Sequence, residues 1–286
     1  MEPRIVLLFA RLTVRETVRR RILWVLLGLS LLSVAIVGWG VERLVSLARA
    51  DGVSEVQVRL GVSQVLILIA FMFSFVLAMS GAFLAAPAIA SDVESGIALA
   101  VLARPIRRSD MVVGRWLGLT SLIVLYTTVS GVLAIAVVWL VSGHSPPEPH
   151  VAVAFLAIEA TIVVTLALAL GTRLPSIAAG AITVVAFGLA WFVGVLGGVA
   201  TAFDAGPLRA AADLLRFLFP TDAMWRGVIY GLEPPLAILI AAGARLGQAN
   251  PFFATEPPPM SIIAWTIAWI ALVLGLGIVA FRRREL

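Results

Sequence analysis

The chain of 286 residues contains no cysteine and no lysine, and charged residues of any kind make up only 13% of it. Without cysteine it can build no disulfide framework, iron–sulfur cluster or thiolate metal site. The two histidines, His144 and His150, stand alone and give no metal-ligand spacing. Without lysine it has no P-loop lysine, and no Gly-x-x-x-x-Gly-Lys-Ser/Thr motif occurs. A water-soluble domain is about 25% charged and 45 to 50% apolar. This chain, 61% hydrophobic, belongs to another solvent.

What charge there is falls in clusters. No charged side chain occurs from Ile22 to Val41, Leu60 to Ser91, Trp116 to Pro147, Leu174 to Phe203 or Pro257 to Phe281. About 20 apolar helical residues cross the roughly 30 Å hydrocarbon core of a bilayer, so each gap can hold a crossing. The expected fold is an all-α polytopic membrane protein forming one membrane domain over residues 1–286. Six transmembrane helices are expected at Ile22 to Val41, Val62 to Ala90, Met111 to Val141, Val151 to Gly171, Ser176 to Ala202 and Ser261 to Phe281. The first 20 residues carry too many charges for a signal-peptide core, so the amino terminus is expected to be retained.

All of the basic residues are arginine, and arginines beside apolar spans set topology far more often than they bind nucleic acid. Arg4, Arg11, Arg15, Arg19, Arg20, Arg21, Arg104, Arg107, Arg108, Arg115, Arg173, Arg282, Arg283 and Arg284 would share one face of a six-span chain. The other face has Arg43, Arg49 and Arg59, and four more in a long loop where charge counts less. Both termini are therefore expected in the cytoplasm.

Before the first span, Ile5, Leu8, Phe9 and Leu12 recur at helical spacing, with Arg11, Arg15 and Arg19 every four residues on another side. Residues 1–21 can thus form an amphipathic helix in the membrane interface, its arginines toward lipid phosphates or a partner; equally, the arginines can be topological anchors. The 203–260 loop is the one large outer element and a possible docking site for another protein. Arg209 with Asp213 and Asp222 with Arg226 have helix-pair spacing, which predicts two short interfacial helices broken at Pro220. Trp24, Trp39, Trp116, Trp139 and Trp265 lie near span ends and fit interface anchoring. Gly194, Gly197 and Gly198 allow close helix approach, within the chain or between copies.

Segment 91–110 carries more features than a reversal of direction needs. Ser91 and Glu94 have capping-box spacing, predicting a new helix to about Ala103, stopped by Arg104-Pro105, with a second cap at Ser109 or Asp110 starting the third span. Asp92, Glu94, Arg104, Arg107 and Arg108 would then be available to a cytosolic surface. A solvated turn with topogenic arginines is the plainer reading.

These residues carry a resemblance. Glu94-x-Gly96, Leu102-x-Arg104-Pro105, Arg108-Ser109 and Gly114-Arg115-x-Leu117-Gly118 resemble the connector between spans 2 and 3 in permease subunits of type-2 ABC exporters. The six-span order, basic amino-terminal helix and long loop before span 6 extend that likeness along the chain. It implies a half-transporter that pairs with a second permease copy, identical or similar, in a bacterial or archaeal plasma membrane. It also implies separate ATP-binding subunits that hold ATP and magnesium, this chain binding no cofactor. In that family the glutamate and glycine begin a cytoplasmic coupling helix, so Asp92, Glu94, Gly96, Arg104, Pro105, Arg107 and Arg108 would meet the ATPase, with Arg173 as a second contact. Phe219-Pro220-Thr221-Asp222-Ala223 followed by Trp225-Arg226 is loosely similar to the subgroup that includes nitrous-oxide-reductase maturation permeases.

Glu159 interrupts the fourth span. An acid at that depth costs a few kcal/mol unless it faces protein or water. It either lines the substrate path or bonds a hydroxyl such as Thr127, Thr128 or Ser130. A channel or carrier that needs no ATP, a membrane anchor for a larger complex and an intramembrane enzyme are the rival readings. The last lacks any converging catalytic set.

Overall fold

Lipid offers the backbone no hydrogen bonds, so a spanning segment must satisfy its own amides, and the described spans do so as helices. The computed structural model describes residues 2–19, 21–97, 106–235, 237, 250–254 and 256–285, with the side chains of 21–23, 25–27 and 29 outside that description. Its helices are α1 (Pro3–Arg19), α2 (Arg21–Ala50), α3 (Glu55–Ala85), α4 (Pro87–Glu94), α5 (Arg108–Ser142), α6 (Pro149–Gly171), α7 (Ser176–Ala202), α8 (Gly206–Leu218), α9 (Thr221–Leu232) and α10 (Met260–Arg282). No strand occurs among the described residues. Among the described residues, six stretches are long and apolar enough to cross a membrane: α2, α3 with α4, α5, α6, α7 and α10. The expected span count is met, and the fifth span has the predicted ends.

The fourth span, α6, is the centre of the bundle, touching α3, α5, α7, α9 and α10. Its partners approach closely where side chains are small. Gly277 of α10, for example, lies where an added Cβ would be 3.1 Å from Ala169.

The amino-terminal helix forms, but its inner stripe is Val6, Phe9, Thr13 and Thr17. Of the expected stripe only Phe9 is buried. Ile5 is partly covered, and Leu8 and Leu12 face outward with Arg11, Arg15 and Arg19. The reason lies on α5. Gly114 and Gly118 leave a groove in which an added Cβ would meet Phe9 Cβ at 2.5 Å and the Ala10 carbonyl at 2.7 Å respectively. The backbones themselves touch there, and the contact selects the face of α1 with a threonine every fourth residue. Gly118→Leu is expected to lift α1 off α5 at a cost of roughly 1–3 kcal/mol, seen as faster hydrogen exchange through residues 3–19.

On the other face of the bundle, α8 and α9 form a hairpin that turns at Phe219–Pro220. The break at Pro220 is as expected, and the turn packs against the last span. Trp265 and Trp269 of α10 donate their indole N–H groups to the Phe217 and Leu218 carbonyls at 2.8 and 2.7 Å. Trp269 lies nine residues into α10, so the turn sits roughly 13 Å along that helix from its amino-terminal end at 1.5 Å per residue. From there α9 climbs back along the first half of α6, Gly227 against the Phe155 ring and Gly231 against Ala152. The hairpin folds back along the bundle. Trp265 is thereby committed to an internal bond, as is Trp116, whose indole donates to Thr165 Oγ1 at 2.9 Å; Trp24, Trp39 and Trp139 are exposed, but α2 runs on to Ala50, so Trp39 lies near the middle of the first span instead of at its end.

The hairpin ends at Glu233, which is buried and accepts the Ala254 amide at 3.1 Å. Burial pushes its carboxyl up to about 7, against the opposing effect of that hydrogen bond. A carboxyl with a raised folded-state value holds its proton while the unfolded chain gives one up, so its contribution is intact below about 4.5 and is lost as pH rises to about 7. Exchange of the Ala254 amide, corrected for base catalysis, is expected to accelerate across that window in the native protein and not in Glu233→Gln.

Candidate functional site

The segment singled out in the sequence lies where both chain ends meet. It begins with a kink in the second span, because Pro87 has no N–H to continue the α3 ladder and the helix restarts as α4. Gly171, at the end of α6, is seated on the Ala86 carbonyl at that kink. Helix α4 then ends at Glu94. Ser95 caps it with its amide on the Ser91 carbonyl, and Gly96 takes a left-handed φ of +74°, a conformation that a side chain would strain.

This reverses the capping expectation. Ser91 lies inside a helix that is finishing, its hydroxyl spent on the Pro87 carbonyl, so Ser91 and Glu94 cap no new helix. The chain is helical again at Ile97, and residues 98–105, including Arg104, Pro105 and the expected stop at Ala103, lie outside the described residues. Helix α5 starts at Arg108 with Arg107 at its N-cap position and no side-chain cap. Ser109 and Asp110 therefore sit in its first turn instead of preceding it; Asp110 accepts the Glu2 amide at 3.2 Å.

Of the residues expected to face a cytosolic partner, Asp92, Arg108 and Glu94 are already engaged within the chain. Asp92 is buried and bonded to Arg115, whose guanidinium also lies 3.6 Å from Glu16 of α1. Arg108 reaches the opposite way, its Nη1 donating to the carbonyls of Phe281, Arg282 and Arg284 at 3.1, 3.2 and 2.6 Å. The Arg284 guanidinium in turn donates to the Thr172 carbonyl at 2.6 Å, tying the tail to the α6–α7 turn. Arg107 and Arg173 are exposed.

Glu94 has an exposed side chain and one specific bond, accepting the Ser176 amide at 3.0 Å. Ser176 is the first residue of α7, where unpaired N–H groups and the helix dipole favour a carboxylate. The end of the second span is thus fastened to the start of the fifth. Nothing in the spacing of Glu94 and Ser176 announces this, since 82 residues separate them.

Arg115 is the residue that sequence reasoning undervalued. It was read as one topogenic arginine among many, yet it joins α1, α4 and α5 through Glu16 and Asp92. The signal was present in Gly114-Arg115-x-Leu117-Gly118: two glycines that seat α1 bracket the arginine that pairs with it. Arg11, Arg15 and Arg19 do stand exposed on α1, away from this junction.

A second polar cluster lies inside the bundle. Glu159 is buried and accepts from Ser74 of α3 at 2.9 Å, not from the hydroxyls of α5. Near the hairpin turn, buried Asp222 accepts from Arg216 Nε at 2.8 Å and Arg226 Nε at 3.3 Å, and both guanidinium groups donate to the Gly194 carbonyl, at 2.9 and 3.3 Å. Asp213 pairs with Arg216 at 3.3 Å instead of with Arg209, because Arg216 is drawn inward by Asp222. Gly194 and Gly197 make room for these charged groups: a Cβ at either would collide with Asp222 or Arg216.

The model of the family described as "ABC-2 family transporter protein" matches residues 8–286, nearly the whole chain. No curated protein gives a match.

Proposed function

Since the chain belongs to the ABC-2 transporter family, we propose that it is the permease half of an exporter, forming the translocation path with a second copy and driven by separate ATP-binding subunits. The chain is a multi-pass membrane protein, and an ATPase partner is general to that family. The observation that carries the coupling reading is the junction on the face where the chain ends meet. Force applied to the segment after Gly96 reaches the second span through α4, the third through α5, and the fifth through Glu94 and Ser176. Arg108 and Arg284 carry it on to the sixth span and the α6–α7 turn. A loop that only reversed the chain would need none of these bonds.

In this reading the junction face is cytoplasmic in a bacterial or archaeal plasma membrane, ATP and magnesium stay with the partner, and the paths of both permeases open outward beside the α8–α9 hairpins. The positive face of α1 suits anionic lipid headgroups. Glu94→Ala should leave the fold nearly intact, costing about 1 kcal/mol as for a lost helix cap, while ATP-driven transport falls steeply. The test is extraction in mild detergent with the native complex. An ATP-binding subunit is expected to co-purify, with ATPase activity that Glu94→Ala uncouples from transport. Recovery of the permease with no such subunit, or full transport by the variant, would leave a carrier or an anchor as the better reading.

A further inference from the structure

Helix packing leaves apolar spaces, and one of them reaches into the middle of the bundle. A cavity of about 340 Å³ lies between α2, α3, α5 and α6, and α9 closes one end with Val228 and Leu232. No charged residue lines it among the described residues; its walls are residues such as Val37, Leu66, Phe73, Ile135 and Leu156. It persists because Ala70, Gly131 and Ala134 stand where larger side chains would fill it.

The cavity is open at the side. Ile36 of α2 and Leu68 and Met72 of α3 border it and are each at least half exposed, so its mouth lies between these two spans in their uncharged stretch. Hydroxyls gather at another part of the wall: Ser30, Ser33 and Ser130 line it, and Ser30 meets the Tyr126 hydroxyl. The space is more than twice the roughly 150 Å³ of an apolar cavity that stays dry and accepts benzene. Water would find few of the two to four polar partners it needs there. Left empty, the walls would forgo their dispersion contacts.

The medium at the mouth is hydrocarbon, and the shape, polarity and access suit one chemistry. We propose that the cavity binds an alkyl chain that slips in sideways between α2 and α3, with any polar atom it carries placed at the wall of Ser30, Ser33 and Ser130. The chain belongs either to a bilayer lipid or to an amphiphilic cargo; only the second source rests on the exporter reading.

The test uses the full-length protein in phospholipid nanodiscs with a palmitic acid analogue bearing a chain-end diazirine, irradiated and mapped by mass spectrometry. Label is expected to concentrate in residues 66–76 and 130–135. Ala134→Phe and, separately, Ala70→Phe fill the space from different helices, and each should cut that label about tenfold, one decade of affinity. Label at Leu140 and Leu272, exposed elsewhere on the bundle, should not change. Even labelling around the wild-type exterior would overturn the proposal without any variant, and so would undiminished cavity label in a folded variant. Adding ATP to the complex with its ATPase then distinguishes the sources: loss of label marks cargo, retention a resident lipid. Because the mapping needs no ATPase, its failure leaves the exporter reading standing, and failure to find an ATPase leaves the mapping standing.

Discussion

Arg115→Met is expected to destabilise the protein by roughly 3–5 kcal/mol, the range for removing one partner of a buried ion pair. The size of the effect comes from what is left behind. Asp92 is 9% exposed, and the substitution removes the guanidinium bonded to it in a site that water reaches poorly. Glu16 loses its link to α5 in the same step, so α1 should loosen from the bundle even though the Gly114 and Gly118 groove is untouched. Denaturation in mixed micelles measures the loss. The informative control is Asp92→Asn combined with Arg115→Met, which removes both charges and should recover most of the stability. If the double variant is as unstable as the single one, the junction is held by packing and the ion pair is incidental.

Asp222→Ala is the second large effect, again roughly 3–5 kcal/mol by the same argument. Here two cations lose one shared anion. Arg216 and Arg226 both converge on Asp222 and on the Gly194 carbonyl; without the carboxylate Arg226 would keep only that neutral acceptor, and Arg216 only it and the exposed Asp213. The expected response is withdrawal of the hairpin turn, with Phe217 and Leu218 leaving Trp265 and Trp269. Tryptophan emission should shift as those indoles lose their carbonyl partners. A native melting curve together with unchanged emission would show that the hairpin is held by its apolar side alone.

The spans were legible because charge cannot sit cheaply in hydrocarbon, and that rule acts locally along the chain. Runs without charge therefore marked the crossings, and span 5 was placed to the residue. Long-range partnerships were not legible in the same way. Ser91 and Glu94 satisfied a capping pattern, but Pro87 four residues earlier had already started the helix, so the pattern fell at its end. Glu159 was recognised as an anomaly, yet its partner Ser74 sits 85 residues away on a helix whose orientation only packing sets. The hairpin's polar residues looked like surface pairs because i,i+4 spacing says nothing about depth. Arg209 and Asp213 had the spacing, and Arg216 took Asp213 because tertiary contacts had positioned it first.

The grip of Arg108 on the carbonyls of Phe281, Arg282 and Arg284 also sets an order of biosynthesis. Between 173 and 176 residues separate donor from acceptors, so a nascent chain still on the ribosome can seat α1 and join Asp92 to Arg115 long before this clasp exists. Prematurely terminated chains would insert every earlier span and still lack the fastening beneath them. Quality-control proteases that sample half-finished membrane proteins would meet that unfastened underside first.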